Sequence, residues 1–296
     1  MEDKFRGMGV AMVTPFNEDH QIDWKSLKAL TEFLIANKTN YLVVQGTTGE
    51  TPTLSKSEKR ELLSFIQEVN QERIPVVLGM GGYDTRELEN ELRSWNFEGI
   101  DAILSVTPYY NKPNQKGIYH HYKKVAEASP VPIIMYNVPS RTGVNMDWKT
   151  TLKLANDFDN IIAVKEASGD MIQIMNIVQN RPENFLVISG DDAITLPILS
   201  SGGDGVISVI GNAFPEEFSD MVKHALAGNI DNARMAHYSL LQIIQAIFEE
   251  GNPAGIKEIL ANKNICSPYL RLPLVQVSKK LSEKLRTLMD EFSLVI

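Results

Sequence analysis

The chain alternates short, nearly continuous apolar runs with longer stretches in which hydrophobic residues recur every three or four positions. The runs fall at 9–14, 41–45, 75–79, 101–106, 132–136, 161–165, 185–189 and 205–209, and are rich in Val and Ile. Strands buried on both faces of a parallel sheet read this way. The stretches between them read as helices. Ser55-Lys-Ser-Glu58 is a capping box, followed by Leu62, Phe65, Ile66 and Val69 at helical spacing. Asp84 can cap a second helix with Leu88, Leu92 and Trp95 on one face. Pro215 stands where a first helical turn tolerates proline, ahead of Phe218, Met221, Val222 and Ala225.

Eight strand–helix units by about residue 227 predict an α/β fold, a closed (β/α)₈ barrel over 1–227. The rival is an open doubly wound sheet, which advertises a glycine-rich phosphate turn after its first strand. Here that turn is Thr14-Pro-Phe-Asn17. From 228 to 296 the strand pattern stops. One helix is expected over 229–248, with Ile230, Ala233, Leu240, Leu241, Ile244, Ile247 and Phe248 as its apolar members. Gly251-Asn-Pro253 breaks it, and further helices are expected over 254–261 and 277–292, a C-terminal helical extension.

Composition narrows the class. Among 296 residues, 29 Lys and Arg against 37 Asp and Glu give a net charge of −8. That balance weakens any case for nucleic-acid binding, which needs clustered positive charge. A single cysteine, Cys266, cannot pair internally and favours a reducing compartment. The charged run Met1-Glu-Asp-Lys-Phe-Arg6 lacks the apolar core of a signal peptide, and no stretch reaches the ~20 apolar residues of a membrane helix. The expectation is a cytoplasmic protein without membrane contact.

In barrels the chemistry gathers at the carboxyl ends of the strands. Strand one is expected to end at Thr14, and strand two runs into Gly46-Thr-Thr-Gly-Glu50. Strand four leads to Tyr109-Tyr-Asn-Lys-Pro113, and strand five to Tyr136-Asn-Val-Pro-Ser-Arg-Thr-Gly143. Strand six ends in Lys165-Glu-Ala-Ser-Gly169, and strand seven in Ser189-Gly-Asp-Asp192. Alternation puts Ile161, Ala163 and Lys165 on one face of strand six, and Ile162, Val164 and Glu166 on the other. A lysine facing an apolar interior is either an ammonium paired with a carboxylate or an amine kept partly neutral to attack a carbonyl. Its same-face neighbours supply no carboxylate, which favours the second. Tyr136, ending the neighbouring strand, can both donate and accept a proton, although strand-end tyrosines usually pack. Thr47 and Thr48 can relay a proton, hold a carboxylate, or form a tight turn that caps a helix.

These five motifs, in this order, resemble the dihydrodipicolinate synthase family of class I Schiff-base pyruvate lyases. The match runs from about residue 5 to beyond 270, including Asn252-Pro253 and Leu270-Arg-Leu-Pro273. The resemblance implies that Lys165 forms an imine with pyruvate. It implies a proton relay through Tyr136, Thr47 and Tyr110, with Tyr110 supplied across a dimer interface. Arg141 would hold the carboxylate of L-aspartate 4-semialdehyde, and Thr48 that of pyruvate through its backbone. Gly190 and Ile207 would line the pocket with main chain. No metal or organic cofactor is implied, and the assembly would be a homotetramer, a dimer of dimers.

N-acetylneuraminate lyase and the 2-keto-3-deoxy sugar-acid aldolases share the imine chemistry. Arg141 and the Thr47-Thr48 pair separate them, because the sister enzymes handle polyhydroxylated aldehydes. A non-catalytic barrel acting as a small-molecule binding module is the alternative of another class, and the intact lysine, tyrosine and threonine pair speak against it. Ser201-Gly-Gly-Asp-Gly205 precedes strand eight and reads as a turn at the end away from ligands. The five histidines, His20, His120, His121, His224 and His237, are scattered without metal-ligand spacing. Met221 and Met235 read as core filler. Lys56 and Lys59 occupy the stretch where lysine-inhibited members often carry histidines. Like charge disfavours a cationic effector there, so weak or absent lysine inhibition is expected.

Overall fold

Each apolar run becomes a strand, and the amphipathic stretches become the helices between them. The computed structural model describes residues 2–294; Met1, at the head of the charged amino-terminal run, and the last two residues lie outside the described residues. The barrel units are β1 (Gly7–Ala11), α1 (Trp24–Ala36), β2 (Tyr41–Val44), α2 (Lys56–Asn70), β3 (Val76–Gly79), α3 (Thr85–Ser94), β4 (Ala102–Val106) and α4 (Gln115–Ala128). They continue as β5 (Ile133–Asn137), a short α5 (Pro139–Thr142), α6 (Trp148–Asp157), β6 (Ile161–Glu166), α7 (Met171–Asn180), β7 (Leu186–Ser189), α8 (Thr195–Ser200), β8 (Gly205–Ser208) and α9 (Pro215–Leu226). All eight strands are parallel in sequence order, and β8 pairs back onto β1 to close the barrel. Three helices follow: α10 (Ile230–Ala246), α11 (Ala254–Asn262) and α12 (Lys279–Ser293).

The caps read from the sequence are present. Ser55 Oγ accepts from Glu58 N at 3.2 Å while Ser55 N donates to Glu58 Oε2 at 2.8 Å. Asp84 accepts from the amides of Arg86 and Glu87, and Pro215 opens α9. Trp95 sits one residue past α3 as its cap rather than within its face.

Alternate strand residues divide between two cores. Ala11, Val43, Val77, Leu104, Ile134, Ala163 and Ile188 form the inner cluster. Val10, Leu42, Leu78, Ile103, Met135, Val164 and Val187 pack outward with the helices. Tyr41 fills the amino end of the lumen. A Cβ on Gly9 would lie 2.1 Å from its ring, so only glycine leaves room there. At that same end Asp204 accepts from Val187 N at 2.8 Å and from the guanidinium groups of Arg6 and Arg181. The Ser201–Gly205 segment is thus a turn at the amino end, with Gly202 at φ +100°.

Three further expectations need correction. Strand β1 stops at Ala11 instead of Thr14: Met12 N still donates to Val43 O, but Val13 N turns to the side chain of Asn212. The β5–β6 register shifts after Ile133, which pairs with Ile161 while Ile134 pairs with Ala163. This bulge breaks the alternation. Ile161 joins the outer core and Ile162 the inner one, whereas Lys165 keeps its inward partnership opposite Tyr136. Finally, Met235 is 67% exposed, because the core face of α10 runs through Ala233, His237, Leu240 and Ile244.

The outer core continues without a break into the last three helices through Leu240, Ile244, Ile256, Leu260, Leu281 and Phe292. Phe292 meets Phe214 edge to face at 5.2 Å. Among the described residues, no helix is long and apolar enough to cross a membrane.

Asp192 ties the turn after β7 to the turn after β8. Its Oδ2 accepts from Val209 N at 2.9 Å and Ile210 N at 2.8 Å, while its Oδ1 has no partner. Burial pushes this carboxyl up from 3.8 to about 6, against the pull of the two amides. The folded state therefore binds a proton that the unfolded chain has released. The stabilisation from this group is complete below the unfolded value and disappears as pH rises through about 6, on the order of 3 kcal/mol in all. Asp192→Asn is expected to remove this falling component from urea-unfolding stabilities measured between pH 4 and 6.5. An unchanged pH slope in the variant would show that the carboxylate is ionised throughout.

Candidate active site

The turn after β2 is held from three sides. Thr51 Oγ1 donates to Gly46 O at 2.9 Å, and Thr14 Oγ1 donates to Gly49 O at 2.7 Å. From the C-terminal helices, Asn252 Nδ2 donates to Thr48 Oγ1 at 2.9 Å. Glu50 then takes a left-handed conformation at φ +53°, which costs a non-glycine residue on the order of 1–3 kcal/mol and persists only where its surroundings enforce it. Enforcement comes from a fully buried ion pair. Lys257 Nζ donates to Glu50 Oε1 and to Tyr269 O, and Arg271 N donates to Glu50 Oε2 at 3.0 Å. The Arg271 guanidinium also grips Thr53 O, His20 O and both carboxylate oxygens of Glu58. That contact holds the Glu58 carboxyl down at about 2.

Across the barrel mouth, Tyr136 of β5 and Lys165 of β6 are register partners. Lys165 is 6% exposed, and its Nζ lies 4.4 Å from the centroid of the Tyr136 ring. Among the described residues the amine has neither a carboxylate within ion-pair distance nor a hydrogen-bond partner. The adjacent Glu166 faces out of the barrel wall. There it accepts from Asn137 Nδ2 at 3.0 Å, Gln173 Nε2 at 2.9 Å and Ser168 N at 2.8 Å. Burial raises the Glu166 carboxyl above the usual carboxylate range, opposed by these donors. Asn145 joins Asn137 to Gln173, and Asn137 Oδ1 accepts from Met146 N at 2.9 Å. This outer network locks the ends of β5 and β6 in place without giving Lys165 a counter-charge.

Gly190, after β7, completes the lysine's surroundings. A Cβ there would meet Ala167 Cβ at 2.7 Å and Lys165 Cε at 3.1 Å. Helix α5, ended by Gly143 at φ +71°, lifts Arg141 to the exposed rim, where its guanidinium makes no bond to a described residue. The enclosed space is a cavity of about 350 Å³ lined by Thr47, Thr48, Tyr136, Arg141, Lys165 and Gly190. Asp191, Ile244, Gln245, Phe248 and Asn252 are also part of its wall.

Six of the eight residues singled out from sequence thus converge on one cavity. Ile207 lies in the inner barrel core, 1% exposed, and is not part of the cavity lining. Tyr110 is 85% exposed on the loop after β4 at φ +71°, away from this chain's own cavity, whereas its neighbour Tyr109 packs on Tyr83 at 5.4 Å. Two groups were missed. Phe248 reads by periodicity as core yet is 40% exposed and lines the mouth with Gln245. The Glu50–Lys257 pair had one faint signal, a lysine inside the apolar run Ala254-Gly-Ile-Lys-Glu-Ile-Leu260.

Comparison with known proteins agrees with this geometry. A model of the dihydrodipicolinate synthetase family matches residues 4–292. The 4-hydroxy-tetrahydrodipicolinate synthase of Parabacteroides distasonis is 53% identical over 98% of this chain and 97% of its own length. The crystal structure of dihydrodipicolinate synthase from Aquifex aeolicus superposes with a TM-score of 0.94 at 40% identity, covering 98% of each chain. That of the Cyanidioschyzon merolae enzyme with lysine bound superposes with a TM-score of 0.94 at 36% identity, covering 98% of this chain and 99% of that one. With its full-length match, its closed barrel and a lone lysine at the end of β6, this chain belongs to the dihydrodipicolinate synthetase family.

Proposed function

We propose that the protein is a lyase that condenses pyruvate with L-aspartate 4-semialdehyde to 4-hydroxy-tetrahydrodipicolinate, in the diaminopimelate route to lysine. The observation that carries this reading is the Lys165 amine, buried at the carboxyl end of β6 with no counter-charge or hydrogen-bond partner among the described residues. Its nitrogen adds to the keto carbon of pyruvate and water leaves, forming an imine. The imine draws electrons from the methyl carbon, which loses a proton to become an enamine. That carbon attacks the aldehyde of the second substrate. The substrate's own amine then displaces Lys165 as the ring closes, returning the enzyme.

Tyr136, Thr47 and Tyr110 carry the protons in this scheme. Tyr110 serves the cavity of a second subunit in a homotetramer built as a dimer of dimers. Its exposure and its left-handed backbone support that role, since a bulky residue holds such a conformation only where something requires it. Thr48 receives the pyruvate carboxylate, with main chain from Gly190, whereas Ile207 stands behind the cavity in the barrel core. Arg141 suits the semialdehyde carboxylate because an unpaired guanidinium can grip it bidentately. The place of action is the cytoplasm, in keeping with a lone, buried Cys266 whose thiol burial pushes up to about 12.

Borohydride reduction with pyruvate is expected to add one stable adduct, located on Lys165 by peptide mass spectrometry, and Lys165→Ala to abolish turnover. Arg141→Ala is expected to raise KM for the semialdehyde roughly 10- to 100-fold, the worth of a hydrogen bond to a charged group, and to spare adduct formation. Equal use of N-acetylmannosamine and the semialdehyde as acceptors would refute the synthase assignment.

Gly190→Ala sets a methyl group against Lys165 Cε and Ala167. Adduct formation is expected to slow by about two orders of magnitude, since an ångström of misplacement costs that much. A normal trapping rate in a folded variant would mean that the lysine has room to move.

Lys56 and Lys59 place like charge on α2 against a cationic effector. Millimolar L-lysine is therefore expected to leave most of the rate intact, and strong inhibition in a coupled assay would overturn this.

A further inference from the structure

We infer that Asn252 is a positioning residue for Thr48: its amide orients the Thr48 hydroxyl so that the hydroxyl proton is presented to the carboxylate of the keto-acid substrate. The inference deepens the imine reading above and rests on it. Asn252 lies between α10 and α11, is 8% exposed, and donates from Nδ2 to Thr48 Oγ1 at 2.9 Å. Both residues line the cavity that holds Lys165.

A hydroxyl that accepts a hydrogen bond still has one proton to give. Thr48 is 2% exposed, and no described residue accepts that proton. The cavity is the space left for it. A carboxylate oxygen there would take it in a charge-assisted bond, strengthened because the amide polarises the same hydroxyl. The other end of the amide agrees with this polarity. Asn252 Oδ1 is buried without a partner. Turning the amide over would let Oδ1 accept the Thr48 proton but would orphan a buried N–H, a rarer defect than an unsatisfied carbonyl. The Glu50–Lys257 pair fixes the spacing, since it joins the same turn to the helix that follows Asn252.

A double-mutant cycle with pyruvate as the varied substrate tests the proposal. Asn252→Leu and Thr48→Val are each expected to raise KM for pyruvate about 10-fold or more, with kcat at saturating pyruvate changed only a few-fold. The double variant is expected to match Thr48→Val alone, because Asn252 acts through that hydroxyl. Thr48→Ser, which keeps the hydroxyl, is expected to keep the parent KM. Effects that multiply in the double variant, or a lost kcat with an unchanged KM, would overturn the proposal. If thermal melting shows that Asn252→Leu does not fold, the nearly isosteric Asn252→Asp takes its place. Its carboxylate draws the Thr48 proton away, so KM is expected to rise, and an unchanged KM means that residue 252 accepted that proton all along and sinks the inference. Borohydride trapping on the parent protein separates the two levels: no adduct on Lys165 removes the imine reading itself. An adduct together with a parent-like KM in Asn252→Leu removes the positioning role alone.

Discussion

Placing the Lys165 amine in the barrel mouth without a carboxylate creates a demand that the surrounding structure meets elsewhere. Charges removed from water are costly unless paired, and the pairs that do form here lie outside the lysine's reach. Glu166, one residue along the strand, is turned through the wall and saturated by Asn137, Gln173 and Ser168. Glu50, on the opposite rim, is claimed by Lys257 and Arg271. Asp192 is held by the amides after β8. Asp191, in the cavity wall, accepts from Ala193 N, so each of these carboxylates has a prior engagement, and the amine is left with an aromatic face and an open cavity.

The same contacts explain why the turn after β2 is so heavily restrained. Thr47 and Thr48 sit between Gly46 and a left-handed Glu50, a conformation that relaxes unless something opposes it. Thr14 holds the turn from the loop after β1, and Asn252, Lys257 and Arg271 hold it from the far end of the chain. The C-terminal helices therefore do more than cover the barrel: they supply one wall of the cavity and the ion pair beneath it.

The barrel was legible because buried parallel strands and amphipathic helices leave periodic marks, and the Ser55 capping box, the Asp84 cap and Pro215 sit at helix starts. Lys165 was legible as a charge at the end of an apolar strand. The β6 bulge was not, since a one-residue register slip leaves no mark in composition: Ile161 and Ile162 are the same residue type on either side of it. Met235 and Phe248 were misjudged for a related reason. Helical periodicity finds an apolar side chain but cannot tell a core partner from solvent or a cavity mouth. Asn252 and Lys257 meet Thr48 and Glu50 across more than two hundred residues of sequence, a distance over which no local pattern carries information.

The Arg271 clamp also bears on how the protein is made. Synthesis runs from the amino end, so the Gly46–Glu50 turn emerges long before Lys257 and Arg271 do. A nascent chain that has already closed β8 onto β1 still lacks the groups that pin Glu50 and orient Thr48. The restraints on this turn are thus completed only when nearly the whole polypeptide has left the ribosome, after every strand of the barrel has been made.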